Sequence, residues 1–255
     1  MHLYRYCRHE ISSKTAAFIF FFLCSQTFPA LMALDPGKII TQYQVRVWNM
    51  EGGLPGNSVL AIRQTQEGYL WIGTQDGLVR FDGLNFELFT TGNTPGLKDN
   101  NIRALYEDRS GRLWIGTSGN GLFQLKNQQF TAYGTEAGIP DLIITYLFRD
   151  RMKNLWVGTD GGGLTRVRNN VLSTLTGEDG LADGFVYPIY EDREGSLWVG
   201  TLDGGLHQLR DSKFTTFTGK EGLSHDYVNC IYKDRGGDIL IGTTIGLDRL
   251  RKKNR

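Results

Sequence analysis

The sequence predicts an all-β fold, a β-propeller of about five four-stranded blades. Three observations lead there. The sixteen residues EDRSGRLWIGTSGNGL at 107–122 return as EDREGSLWVGTLDGGL at 191–206. The anchoring position of that stretch recurs as Trp71, Trp114, Trp156, Trp198 and Leu240, in steps of 43, 42, 42 and 42 residues. Glycine makes up 33 of 255 residues, roughly twice the usual share, as a fold of many tight turns requires. A catalytic motif needs writing once. A building unit is written as often as it is used, and a period of about 40–45 residues over strand-rich units marks propeller blades.

The second unit shows the elements in order. Residues 101–108, NIRALYED, place β-branched and aromatic residues at near-alternating positions. RLWIGT at 112–117 is too apolar to have a solvated face. GLFQLK at 121–126 and QFTAYG at 129–134 alternate. Each run has strand length and turn residues separate them, so each unit holds four strands. Between first and second strands stands Asp-Arg-x-Gly: Asp108 with Gly111, Asp192 with Gly195, Asp234 with Gly237. The carboxylate accepts from the backbone that follows it, and the Gly takes the positive φ that closes a short hairpin. The third unit has Lys153 where Gly is expected, with Asn154 beside it. Asn tolerates the left-handed region, so a shifted turn is expected there. The loop after the second strand is glycine-rich, as in GTDGGGL at 158–164, but a strand follows it and a phosphate cradle wants a helix N-terminus. The Trp column lies mid-strand in apolar runs, which reads as packing between blades. Leu240 agrees, since Leu keeps burial and abolishes stacking.

The fifth unit ends in GLDRLRKKNR, without a fourth strand. An orphan run at 42–54 precedes the first unit. Its Trp48 stands six residues before Leu54, as Phe217 stands before Leu223 and Tyr133 before Ile139. The orphan is expected to be the fourth strand of the last blade, an N-terminal strand that latches a closed ring and removes open edges.

Residues 1–33 read as a secretory signal peptide. Arg5, Arg8 and Lys14 precede or flank the apolar run AAFIFFFL at 16–23, and CSQTFPALMA follows, with Ala33 as the cleavage point. The propeller is then expected over 34–255, in the periplasm. An uncleaved N-terminal segment that anchors the chain to the membrane is the alternative. Ser25, Gln26, Thr27 and Pro29 weaken it, since they interrupt a run already short of the roughly 20 apolar residues a span needs. Cys7 and Cys24 fall in that segment, which leaves Cys230 and no internal disulfide in the exported chain. Cys230 shares a column with Ala61, Ala104, Tyr146 and Pro188, where a buried small residue is expected rather than a nucleophile. A formal net charge of +1 offers nucleic acid no electrostatic footprint.

The stretch GLPGNSVLAIRQTQEGYLWIGTQDGLVRFDGLNFELF at 53–89 resembles the two-component regulator propeller repeat. All five units carry its core, LW-I/V-G-T followed by two or three residues and GL, or a near copy. The resemblance spans residues 42–250. It implies a β-propeller input module in the periplasm, as in the sensor regions of hybrid histidine kinases and diguanylate cyclases, where it senses a ligand, often a glycan or its breakdown product. Members of that family usually carry more blades, then a β-sandwich, a membrane span and a signalling domain. No kinase box, GGDEF-like run or receiver pattern follows Leu250. The expected function is therefore a ligand-sensing propeller of two-component-type signalling without its own output domain, and not an enzyme. A scaffold or partner-docking propeller, or the front part of a larger sensor kinase, is the alternative.

Propellers bind ligands at the mouth of the central channel, where the loops leading into the first strands gather. Here those loops read LPGNS, LKDNN, IPDLI, LADGF and LSHDY, from Leu54, Leu97, Ile139, Leu181 and Leu223. Their third position is Gly56, Asp99, Asp141, Asp183 and His225, and equivalent positions in a ring face one another. Asp99, Asp141, Asp183, His225 and Asp226 are thus the candidate binding residues, for a small polar ligand that is saccharide or peptide-like. A periplasmic or membrane sensor protein is the candidate protein partner. The bland alternative is that each Asp caps its own turn. No metal, cofactor or catalytic residue is expected. Streptogramin lyases are propellers with loosely similar Trp-rich repeats, but their chemistry wants a His base and a metal. Beyond residue 33 the chain has only His207 and His225, one on a third strand and one in a mouth loop.

Overall fold

Blade one holds β1 (Val59–Gln64), β2 (Leu70–Thr74), β3 (Leu78–Phe81) and β4 (Phe86–Phe89). Blade two holds β5 (Ile102–Glu107), β6 (Leu113–Thr117), β7 (Leu122–Lys126) and β8 (Gln129–Tyr133). Blade three holds β9 (Ile144–Arg149), β10 (Leu155–Thr159), β11 (Leu164–Arg168) and β12 (Val171–Leu175). Blade four holds β13 (Val186–Glu191), β14 (Leu197–Thr201), β15 (Leu206–Arg210) and β16 (Lys213–Phe217), and blade five holds β17 (Val228–Lys233), β18 (Ile239–Thr243) and β19 (Leu247–Leu250). Every sheet is an antiparallel meander of sequence neighbours. These elements come from a computed structural model that describes residues 46–251. Residues from Trp48 onward form one unit. The signal peptide at 1–33 and the domain start expected at residue 34 lie outside the described residues. No helix among the described residues is long and apolar enough to cross a membrane.

The second strand is the buried centre of each blade. LWIGT and LWVGT bury every residue in β6, β10 and β14. Burial falls outward, and the fourth strands β8 and β12 alternate exposed with half-buried positions. First strands pack on one another in sequence: β1 on β5, β5 on β9, β9 on β13, β13 on β17.

Successive blades stack a trailing face on a leading face. Ala104, Trp114 and Leu122 of blade two share a core with Ile144, Leu147 and Val157 of blade three. Trp156 and Leu164 share one with Val186, Ile189 and Val199, and Trp198 and Leu206 with Val228 and Ile241. The Trp column is therefore packing, as its apolar setting predicts. The glycine after it lets the blades close: a Cβ at Gly116 would lie 2.5 Å from Ile144 Cγ2, and one at Gly158 2.9 Å from Val186 Cγ1.

The turns follow their chemistry. Asp108 Oδ1 accepts from Ser110 N at 2.9 Å and Arg112 N at 3.2 Å, and Asp192 Oδ1 accepts from Glu194 N and Ser196 N. The shifted turn expected in the third unit is not found. Lys153 itself takes the glycine position at φ 70°. Asn154 holds it there, donating from its backbone N and its Nδ2 to the Asp150 carboxylate at 2.8 and 2.6 Å. In blades two to four the turns between third and fourth strands are two-residue hairpins with both φ positive, at Asn127-Gln128, Asn169-Asn170 and Asp211-Ser212. That geometry matches the strand twist. Links between blades turn through one 3-10 turn each from the second blade onward. Thr176 and Thr218 cap theirs with capping boxes closed by Asp179 and Glu221.

The described part of the expected closing strand is not in a strand. Among the described residues the fifth sheet has three strands. Residues 46–49 belong to no strand, and residues 42–45 lie outside the described residues. Trp48 instead meets Phe81 of blade one edge-on, with ring centroids 5.4 Å apart. The cause is local. Asn49 caps the turn Met50–Gly52, accepting from Gly52 N at 3.0 Å. This repeats the link that carries Tyr133 into the core of blade three. Trp48 thus has the register of a fourth-strand aromatic and, as Tyr133 does over blade three, lies over the blade that follows it. Nor does β17 pack on β1 as the other first strands pack. Cys230, expected to be buried, is exposed, because no blade among the described residues covers the trailing face of blade five.

Candidate functional site

The loops at the mouth are held by backbone bonds between neighbouring segments. Ser118 N donates to Asn101 O at 3.0 Å, Asp160 N to Ile143 O at 3.0 Å, and Leu202 N to Phe185 O at 3.1 Å. The predicted site residues serve these loops. Asp99 Oδ1 accepts from Asn101 N at 3.0 Å, Asp141 Oδ1 from Ile143 N at 2.8 Å, and Asp183 Oδ1 from Phe185 N at 3.1 Å. His225 Nδ1 accepts from Tyr227 N at 2.9 Å in the same position. Asp183 Oδ2 also accepts from Asp203 N at 2.8 Å, and Asp226 Oδ1 accepts from Gly219 N at 2.7 Å. Each caps a turn within its own blade or the link into it. Among the described residues, no three His, Cys, Asp or Glu are placed to hold a metal ion.

Another set of side chains meets across blades. Tyr187, the second residue of β13, donates through Oη to Asp160 Oδ1 at 3.5 Å. Its ring lies 5.7 Å from that of Tyr227. Burial pushes its hydroxyl up to about 12; the charges of Tyr227 and Asp160 add to this and that of Arg103 opposes it. The hydroxyl is therefore a neutral donor at neutral pH. Arg103 comes from blade two, Asp160 from the loop after β10 in blade three, Tyr187 from blade four, and Tyr227 from the loop into blade five. Phe185, whose ring is exposed, pairs its backbone with Asp160. Four blades thus bring two phenols, a carboxylate and a guanidinium to one region. Such a set can stack on an apolar ring face and bond to hydroxyl or amide groups.

The sequence carried a signal for this cluster. The second position of the first strand reads Leu60, Arg103, Thr145, Tyr187 and Asn229, a varied column between the apolar first and fourth positions, which repeat as Val or Ile and as Ile or Leu. Variation at a position held by a rigid scaffold marks where units are free to differ.

Two other features have structural roles. A cavity of about 370 Å³ lies between blades two and three, lined by Asp108, Arg112, Arg149 and Lys153. Burial works against ionisation of Asp108, but bonds from Ser110 and Arg112 hold its carboxyl down at about 2. His207 is fully buried and its Nδ1 lies 3.0 Å from Thr216 Oγ1. Burial lowers its pKa to about 4 against the opposing charge of Asp183, so the ring is neutral and enclosed.

The two component regulator propeller model matches residues 53–76, 96–119, 180–203 and 222–244, in four of the five units. No curated protein matches the sequence. Among solved structures, one described as the extracellular domain of the hybrid two component system BT4673 from B. thetaiotaomicron is 25% identical with a TM-score of 0.67. That alignment covers 80% of this chain and 30% of that one. The corresponding domain of BT3049 from the same organism is 22% identical with a TM-score of 0.60, covering 82% of this chain and 35% of that one. A catalytically inactive virginiamycin B lyase from Staphylococcus aureus with quinupristin is 17% identical with a TM-score of 0.61, over 79% of this chain and 70% of that one. The last two likenesses are of fold alone. The chain spans about a third of the length of the two-component neighbours.

Proposed function

From a chain built of two component regulator propeller repeats, a sensor-type module, we propose a periplasmic propeller that binds a small polar ligand at the channel mouth and does no chemistry on it. The ligand is a saccharide or a peptide-like molecule. The observation that carries this reading is the convergence of Arg103, Asp160, Tyr187 and Tyr227 from four blades. Phenol rings suit the apolar face of a sugar or a peptide side chain, and the charged pair suits its hydroxyl or amide groups. The mouth residues Asp99, Asp141, Asp183, His225 and Asp226 set the loops, so they support the site through the backbone. Lack of turnover is supported by His207, which is enclosed and bonded to Thr216, and by His225, whose Nδ1 is engaged by Tyr227 N. The signal-like segment at 1–33 supports export. Mass spectrometry of the periplasmic fraction should find a chain that starts near Leu34; an intact Met1 in a membrane pellet would favour the anchor.

Calorimetry against a panel of oligosaccharides and peptides tests the binding. Tyr187→Ala and Asp160→Ala are each expected to weaken a bound ligand by roughly tenfold or more, in the range of central contacts. Asp141→Ala and Asp183→Ala should act more mildly, through loop order. Binding that survives both Tyr187→Ala and Asp160→Ala would place the ligand elsewhere. If nothing binds and a membrane sensor protein co-purifies, the docking reading replaces this one.

A further inference from the structure

The blades repeat one interface four times. Trailing-face residues Leu78, Leu122, Leu164 and Leu206 are all fully buried by the blade that follows. Leu247 holds the same place in blade five and is 70% exposed. Beside it Tyr232 is 62% exposed, and Cys230 is exposed where Ala104 and Pro188 are buried. Leading-face residues Ile102, Ile144, Val186 and Val228 are likewise fully buried. Their counterpart in blade one, Val59, is 40% exposed, and Ile62 is 61% exposed where Leu147 and Ile189 are buried. Among the described residues, one chain therefore carries an unmated trailing face and an unmated leading face of the kind it mates four times internally.

Trp48 supplies an independent observation. It rests on Phe81. Phe81 shares a strand position with Leu125, Val167 and Leu209, and each of those shares a core with the fourth-strand residue of the blade before: Phe89, Tyr133 and Leu175. Trp48 thus stands as the fourth-strand aromatic of a blade placed ahead of blade one. Blade five is the sheet that has no fourth strand among the described residues.

We propose that this chain associates head to tail, the trailing face of blade five in one copy docking on the leading face of blade one in the next, with Trp48 beside β19. The occupant is a second copy because the matching surface is the chain's own. Every residue type needed for the contact is already seen making it inside the molecule. The interface is heterologous, so it propagates to rings or short chains rather than stopping at a two-fold dimer. It covers an apolar patch and an open sheet edge together.

Sedimentation velocity of the full chain across a concentration series tests this. Mass above that of the monomer, rising with concentration, is expected. Leu247→Arg and Ile62→Arg each remove one face and should raise the dissociation constant at least tenfold. Both positions are exposed in the single chain, and circular dichroism should show each variant folded. The decisive sample is an equimolar mixture of the two variants. One keeps its leading face and the other its trailing face, so the mixture should form a dimer and nothing larger. A monomeric parent at all concentrations overturns the proposal, whether the faces are then free or meet within one chain. Association that survives both substitutions, or a mixture that stays monomeric, overturns it as well.

Discussion

The indole Nε1 of Trp156 donates a hydrogen bond to Asp150 Oδ2 at 2.8 Å. Trp198 does the same to Asp192 at 3.0 Å, and Trp114 to Asp108 at 3.4 Å. Donor and acceptor stand six residues apart each time. The carboxylate that caps the first hairpin also fixes the ring that packs between blades. In blade five Leu240 has no donor, and Arg249 Nη2 bonds to Asp234 Oδ2 at 3.2 Å instead.

Asp150→Ala should therefore cost more than a turn cap. It removes the acceptor for Asn154 and leaves the buried indole N–H of Trp156 without one. A loss of about 2–4 kcal/mol is expected from urea unfolding. A midpoint equal to that of the parent would mean the bond does not matter.

Trp114→Ala should open a cavity between blades two and three, since the ring is buried against Ile144 and Val157. A loss of about 3–5 kcal/mol is expected. A loss below roughly 1 kcal/mol, the range of surface substitutions, would place the ring at an exposed site.

Lys153→Gly should stabilise. Lys153 holds φ 70°, which costs a non-glycine residue about 1–2 kcal/mol. Glycine relieves that and loses part of the gain through its freer unfolded chain, so a net gain of roughly 0.5–1 kcal/mol is expected. Destabilisation would show that the Lys side chain makes a contact worth more than the strain.

His207 gives the fold a pH dependence. Burial lowers its pKa to about 4, with the Asp183 charge opposing, whereas an unfolded His titrates near ~6.5. Between those values the unfolded chain takes up a proton that the folded chain refuses. Its contribution to stability is full above pH ~6.5 and falls as pH drops toward ~4, by roughly 3 kcal/mol in all. His207→Phe should flatten that slope and keep the fold, since Phe123 is fully buried at the same place in blade two. An unchanged slope from pH 4 to 6.5 would assign it to other groups.

Much of the architecture is legible in the chain because it rests on short-range chemistry. The 42-residue step from Trp114 to Trp156, the alternation in the outer strands and the Asp108–Gly111 hairpin each involve residues close in sequence. Lys153 shows the limit of even that reading: Asn154 was expected to shift the turn, yet its bonds to Asp150 hold a strained lysine in the glycine position.

The sequence by itself determined the repeat, the four strands of blades one to four and the burial of the Trp column, since these follow from spacing and side-chain type. Only the tertiary structure decided which residues meet across blades. Asp99, Asp141 and Asp183 share a column, and each carboxylate bonds the backbone N–H two residues on. Arg103, Asp160, Tyr187 and Tyr227 lie in three different columns, and only the stacking of four blades gathers them. The seat of Trp48 was decided there too. The register of Trp48 was written in its spacing to Leu54, but its partner Phe81 was not, because the fourth strand of one blade packs on the third strand of the next, a contact made by whole faces and not by residues close in sequence.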